Sequence, residues 1–338
     1  MKTKVAVCGQ GPMGLSHAKI LKEQDTVELV AIADVDPARR KKSEEDLEVP
    51  GWNSGEELID AKIADVIFVC APTYLHAPLS IRALEAGHHV FSEKPMGLNS
   101  AECAAMIKAA ETNNKFLTVG QVLRFWPEYV FLKKTVESGE FGKLQTLSLT
   151  RIGKVSRGWQ NWFLDEKLGG TQIFDRHIHD TDLVLWLLGK PQAVSTFATK
   201  GKEGGFVHSF TRYQYPDVTV SAEGSADLPD NFPFTMAYLA VFENGAIEYN
   251  SRQKPTLSVH KNGAEVDHPE LPAPIGDLQT GLNIATPSAL LLEQIYFLDC
   301  IKKGVKPAVV TPESARDTVA VVRLEMESAR TDTPVAVE

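Results

Sequence analysis

The first 120 residues alternate apolar, strand-like runs with helix-like segments, and no other feature of the chain restricts its fold as much. "KVAVCG" ends at a glycine and "MGLSHAKILKE" follows with helical spacing. "VELVAIAD", "DVIFVCAP", "HHVFSEKP" and "KFLTVGQV" are further strand-like runs, separated by "PARRKKSEEDL", "APLSIRALEAG" and "SAECAAMIKAAETN". Apolar strands flanked by helices predict a parallel sheet covered on both faces, a doubly wound α/β domain over residues 1–122. From residue 123 the segments turn β-prone, with hairpin signals at Asn244-Gly245 and Asn262-Gly263. They predict an α+β domain over 123–338 with a mostly antiparallel sheet. The helices "GTQIFDRHIHDTDLVLWLLG" and "SALLLEQIYFLDCIKKG" interrupt or close it. A last helix, "PESARDTVAVVRLEMESA", can pack back on the first domain, and "HPELPAPIGDLQTGLN" reads as a long loop.

"GQGPMG" stands directly after the first strand and opens the first helix. Gly9 permits the tight turn, Gly11 lets backbone approach a pyrophosphate, and Gly14 lets helix and strand pack closely, with Pro12 and Met13 between. The helix N-terminus offers N–H donors and a positive dipole end to phosphates. Asp34, at the end of the second strand, is placed to grip ribose hydroxyls. Together these predict a dinucleotide site. The Asp34 carboxylate repels a 2′-phosphate, which favours NAD; NADP stays the alternative if Asp34 swings away and Arg39 or Arg40 reaches that phosphate. The plainer role for this basic run is a solvated helix face paired with Glu44 and Glu45.

The formal net charge is 35 − 44 = −9, which argues against nucleic acid as a partner. No apolar run approaches the ~18 residues of a membrane helix, and the start lacks the features of a signal peptide, so the expected location is the cytoplasm. Cys8, Cys70, Cys103 and Cys300 are scattered and read as small buried hydrophobes.

Several segments resemble the Gfo/Idh/MocA family of NAD(P)-dependent sugar and polyol oxidoreductases. They are "GQGPMG", "APTYLH" (Ala71 to His76), "EAGHHVFSEKP" (Glu85 to Pro95), "SGEFGKL" (Ser138 to Leu144) and "GGTQIFDRHIHDTD" from Gly169. The resemblance implies an open-faced second-domain sheet used for oligomerisation, hence a homodimer or homotetramer, and oxidation at a hydroxyl of a sugar, cyclic polyol or sugar derivative. It places the catalytic lysine on Lys94 and the Asp/His pair on Asp175 and His179. "IHDTD" looks most like the inositol dehydrogenase-type members, whereas His177 stands where the family more often has glycine. The resemblance also puts Ala71, Pro72, Thr73, His76, Glu93, Lys94 and Pro95 around the cofactor.

The chemistry of these residues agrees with that assignment. Oxidising a secondary alcohol requires a proton acceptor with a pKa near neutrality, which histidine supplies. On a helix Asp175 and His179 are i and i+4 on one face, so the carboxylate can orient the imidazole. His177 and His179 then point about 200° apart, which deprives an H-x-H metal site of its geometry; no metal is expected. For His177, pocket wall or packing is favoured over chemistry. Lys94 emerges at the carboxyl end of a parallel strand, where its ammonium can stabilise an alkoxide or relay the proton. Arg124 is either a substrate contact or an interdomain ion pair, and Trp159 and Trp162 either stack on a sugar ring or pack in the core. Two alternatives share the fold: an NAD-dependent glycoside hydrolase or lyase working through transient oxidation, and a non-catalytic NAD or sugar sensor.

Overall fold

The computed structural model describes residues 2–154, 157–202, 204–272 and 288–338. The chain forms two compact units, Met1–Phe125 with Pro274–Asp317, and Trp126–Ala273 with Thr318–Glu338.

The first unit begins β1 (Thr3–Cys8), α1 (Pro12–Lys22), β2 (Val27–Ala33), α2 (Pro37–Leu47), β3 (Gly51–Trp52) and α3 (Gly55–Asp60). It continues β4 (Val66–Val69), α4 (His76–Glu85), β5 (His89–Ser92), α5 (Ser100–Thr112) and β6 (Leu117–Val119). The strand order is β3-β2-β1-β4-β5-β6, with every neighbouring pair parallel. Every residue of β4 is buried, as expected of a strand covered by helices on both faces. Phe68 and Phe91 stack across β4 and β5 with ring centroids 4.5 Å apart. Side chains cap α2, α3 and α5: Asp36, Ser54 and Asn99 each accept a first-turn N–H. Such a cap contributes about 1 kcal/mol. The start of α1, at Gly11, has no side-chain cap.

The second unit contains α6 (Pro127–Ser138), β7 (Leu144–Lys154), α7 (Ile178–Leu188), β8 (Ala193–Lys200), β9 (Phe206–Gln214), β10 (Thr219–Leu228), β11 (Thr235–Phe242), β12 (Gly245–Asn250) and β13 (Leu257–Lys261). The following helix, α8 (Ser288–Lys303), belongs to the first unit, where Phe297 and Leu298 join the core of Phe68 and Phe91. The chain ends with α9 (Pro312–Thr331) and β14 (Val335–Ala336). The second sheet runs β13-β12-β11-β7-β10-β9-β8-β14 and is antiparallel except for the β7–β10 pair. Its strands alternate: Leu147, Leu149, Tyr238 and Ala240 are buried, whereas Phe197, Phe210 and Leu239 are 63%, 53% and 44% exposed on the other face.

Two expectations need correction. The helix expected from Gly170 does not start as an α-helix: Ile173–His177 is a π-turn that leads into α7. The apolar spacing of "TQIF" looks the same in either geometry, so periodicity could not separate them. The basic run of α2 pairs only partly as a solvated face. Lys41 meets Glu45 at 4.0 Å, but Arg39 and Arg40 turn toward the end of β2. Of the loop expected from His268 to Asn283, residues 273 onward lie outside the described residues.

Candidate functional site

In the first unit the candidate residues gather at the carboxyl ends of β1, β2, β4 and β5, where the strand order reverses and open α/β sheets bind ligands. Gly9 has φ +93°, and a Cβ there would lie 2.6 Å from the Cys70 carbonyl oxygen. A Cβ at Gly14 would lie 1.9 Å from the Gly9 oxygen, so the turn tolerates no side chain. At Gly11 a Cβ would meet nothing within 4 Å, which leaves an open cradle over the start of α1. Pro12 occupies the first turn, which carries no acidic residue, so its N–H groups and dipole are available to an anion. These residues fit the pyrophosphate of a dinucleotide. Thr73, fully buried after β4, leaves its Oγ1 without a hydrogen-bond partner.

Asp34 is fixed. One carboxylate oxygen accepts from the Gln10 N–H at 2.7 Å and the other from the Asp36 N–H at 2.8 Å. Arg39 Nε stands 3.4 Å from it, and Arg40 donates to the Asp34 carbonyl at 2.8 Å. Two backbone donors hold the carboxylate where it favours a free 2′-hydroxyl over a 2′-phosphate.

His76 ties two strand ends together, with Nδ1 2.6 Å from the Pro95 carbonyl and Nε2 2.7 Å from that of Ala71. Burial holds its pKa below the ordinary value, although both carbonyls favour the charged ring. Pro72 starts the turn between Ala71 and Thr73. Lys94 is half-buried, and its backbone N–H donates to Glu93. Glu93 accepts from His17 Nε2 at 2.7 Å. Burial raises the Glu93 carboxyl, but the His17 hydrogen bond and nearby Lys94 take it below the ordinary range. Arg124 is buried and donates to the Val309 carbonyl at 2.8 Å.

Among the described residues, His17, Glu93 and Glu293 form the one cluster with metal-ligating atoms within 4.8 Å of one another. Hydrogen bonding argues against a cation there. Gln294 Nε2 donates to His17 Nδ1 at 2.7 Å, so the ring proton sits on Nε2 and is given to Glu93. Glu293 is buried with both oxygens unpartnered; burial first, then the Glu93 charge, raises its pKa well above the ordinary value. Burial therefore favours the protonated form of Glu293.

In the second unit, Asp175 and His179 are half-buried, whereas His177 between them has no exposed surface. Asp175 and Arg176 border a cavity of about 230 Å³ with Thr171, Gln172, Lys202 and Asp227. Thr171 has φ +81°, a strained conformation for a β-branched residue, and Thr171 Oγ1 and Gln172 Nε2 are buried without partners. Trp159 and Trp162 are half-exposed on the turn Trp159–Leu164, outside the core, and Trp162 stacks on Phe163 at 3.9 Å. Buried Arg151, Asp180 and Glu325 were not among the residues singled out from the sequence. The inward-facing position of Arg151 in β7 was the available signal, because a buried cation requires an acid.

A glycine-turn nucleotide fold followed by an open-faced α+β unit defines a two-part oxidoreductase architecture, and sequence comparison gives the family. The model described as "Oxidoreductase family, NAD-binding Rossmann fold" matches residues 3–121, and that of the "GFO/IDH/MocA C-terminal domain" matches residues 129–248. The chain belongs to the Gfo/Idh/MocA family. It is 34% identical over 189 residues to myo-inositol 2-dehydrogenase of Thermotoga maritima, covering 55% of each chain. It is 26% identical over 210 residues to 2,7-anhydro-N-acetylneuraminate hydratase of Escherichia coli, covering 60% of this chain and 53% of that one. Inositol 2-dehydrogenase of Corynebacterium glutamicum is 30% identical over 255 residues, 72% of each chain. The chain spans little more than half the length of the first two of these relatives. A solved levoglucosan dehydrogenase, in complex with NADH and levoglucosan, superposes with a TM-score of 0.85 at 19% identity over the whole of both chains, a likeness of fold. No helix among the described residues is long and apolar enough to cross a membrane.

Proposed function

We propose that the protein is an NAD-dependent dehydrogenase that oxidises a secondary hydroxyl of a sugar, cyclic polyol or sugar derivative. The observation that carries this reading is the turn from Gly9 to Gly14, open at Gly11 and closed at Gly14, beside a fixed Asp34. NAD, when bound, accepts the hydride. The chain's own residues handle the proton: Asp175 orients His179, His179 takes the hydroxyl proton, and the Lys94 ammonium stabilises the developing alkoxide. Lys94 and His179 can exchange these last two roles. The cavity beside Asp175 offers carboxylate acceptors and cationic donors together, which suits a hydroxyl-rich molecule. The reading is tested by incubating the protein with NAD and a panel that includes myo-inositol, levoglucosan and common aldoses, and following reduced cofactor. A Lys94→Ala variant as fast as the parent would remove that lysine from the mechanism.

The similarity to a hydratase supports a second reading, in which oxidation is transient and the cofactor is restored within one turnover. Product release without net reduced cofactor distinguishes it. For assembly, the exposed face carrying cross-strand neighbours Phe197 and Phe210 and, further along, Leu239 fits a second copy of this chain. A Phe210→Glu variant that keeps the parental mass in light scattering would contradict this.

A further inference from the structure

Asp175, His177 and His179 share one helical run but not one environment. The ring of His177, at the junction of the π-turn and α7, is enclosed from several elements. Its Nε2 lies 3.3 Å from Glu325 Oε2 on α9, 3.2 Å from Thr211 Oγ1 and 3.3 Å from the Tyr213 hydroxyl, both on β9. Its Nδ1 faces Asp180 Oδ2 at 3.9 Å. Arg151 of β7 holds that Asp180 with bonds of 3.0 and 3.1 Å, and Thr181 donates to the other Glu325 oxygen at 2.9 Å.

Arg151 and Asp180 balance each other, which leaves Glu325 as the counter-ion of His177. Burial alone lowers the His177 pKa, but the Glu325 carboxylate 3.3 Å away, with Asp180 behind it, raises it above the ordinary value. Thr211 and Tyr213 add hydroxyls, the Gln172 amide lies on the Nδ1 side beside Gly224, and the Arg151 guanidinium opposes the charged ring. A π-turn is rare and is not held by propensity, so this one depends on contacts to its side chains.

We propose that His177 is a positioning residue: clamped by Glu325, Thr211 and Tyr213, it fixes the turn that presents Asp175 and His179. The inference rests on the reading of Asp175 and His179 as the proton-handling pair. It extends that reading to α9, because the geometry of the pair then depends on Glu325.

Glu325→Gln keeps the shape of the side chain and removes its charge. Its kcat is expected to fall by about ten- to a hundredfold, the loss that a misplacement near 1 Å brings, with KM and NADH affinity within about twofold. Glu325→Gln with His177→Gln, two neutral amides that can pair, is expected to regain most of the loss. Parental kcat in Glu325→Gln, or no recovery in a double variant that melts like the parent, would overturn the proposal. Two readouts need no substrate and separate this inference from the dehydrogenase reading. Nitrogen-15 NMR of the histidine-labelled parent is expected to show both ring protons on His177 at neutral pH, and a neutral ring overturns the clamp. Amide exchange across Asp175–His179 is expected to quicken in Glu325→Gln, and an unchanged rate overturns the positioning role even if the parent oxidises no alcohol in the panel.

Discussion

A side chain at position 14 would put its Cβ 1.9 Å from the carbonyl oxygen of Gly9, so only glycine closes the turn between β1 and α1. Three residues earlier, Gly11 faces open space.

These glycines should therefore fail differently. Gly14→Ala is expected to lower the melting temperature and NADH affinity together, because the backbone of the turn must shift. Gly11→Ala is expected to melt like the parent and to lose only affinity, by at least about tenfold, or ~1.4 kcal/mol. Thermal melts and NADH fluorescence titrations check both; parental affinity in Gly11→Ala would move the pyrophosphate elsewhere.

Fixed by the Gln10 and Asp36 N–H groups, Asp34 should set cofactor choice. The parent is expected to have a higher kcat/KM with NAD than with NADP. In Asp34→Ser, with Arg39 and Arg40 retained, that ratio should fall by about tenfold or more, since removal of the carboxylate leaves the cations beside the 2′ position. Measuring both cofactors on one substrate decides it, and a parent that prefers NADP would contradict the argument.

Asp175→Asn keeps the volume of the side chain but loses the charge that the proposed mechanism uses to orient His179. Its kcat is expected to drop by about a hundredfold or more, within the range of general acid–base effects, with NADH affinity unchanged. Steady-state rates and a cofactor titration of the same sample separate the two quantities.

Glu293 gives a prediction about pH. Burial and the Glu93 charge raise its folded-state pKa well above the unfolded value, so the native state prefers the protonated acid. Its stabilising contribution is complete below the unfolded pKa of about 4.3 and is lost as pH rises toward the folded pKa. Glu293→Gln, which mimics the neutral acid, should match the parent in acid and melt at least about 2 °C higher at pH 8. A variant less stable than the parent at every pH would show that the carboxylate has a partner.

The first unit was largely legible in the sequence because its signals are local. Continuous apolar strands, Pro37 at a helix start, and Gly9, Gly11 and Gly14 each carry their own backbone requirement. The helix α6 was equally available, with Pro127 in its first turn and Gly139 at φ +65° just past its end, but a β-prone neighbourhood masked it. Neither the π-turn nor the place of Glu325 was legible. In "VVRLEMESA" a glutamate among charged neighbours reads as the wet side of an amphipathic helix, and only the tertiary fold puts it against His177. Arg124 shows the same limit: its place beyond β6 left a substrate contact and an interdomain ion pair equally open, and the fold adds a bond from its guanidinium to the Val309 carbonyl.

The four buried ionisable groups at the junction of the π-turn and α7, Arg151, Asp180, His177 and Glu325, carry an evolutionary constraint. Loss of any one would strand its partner's charge in a medium that does not solvate it. Related chains should therefore change these positions in concert, an acid and a base gained or lost together, so that glycine at 177 would accompany an uncharged residue at 325.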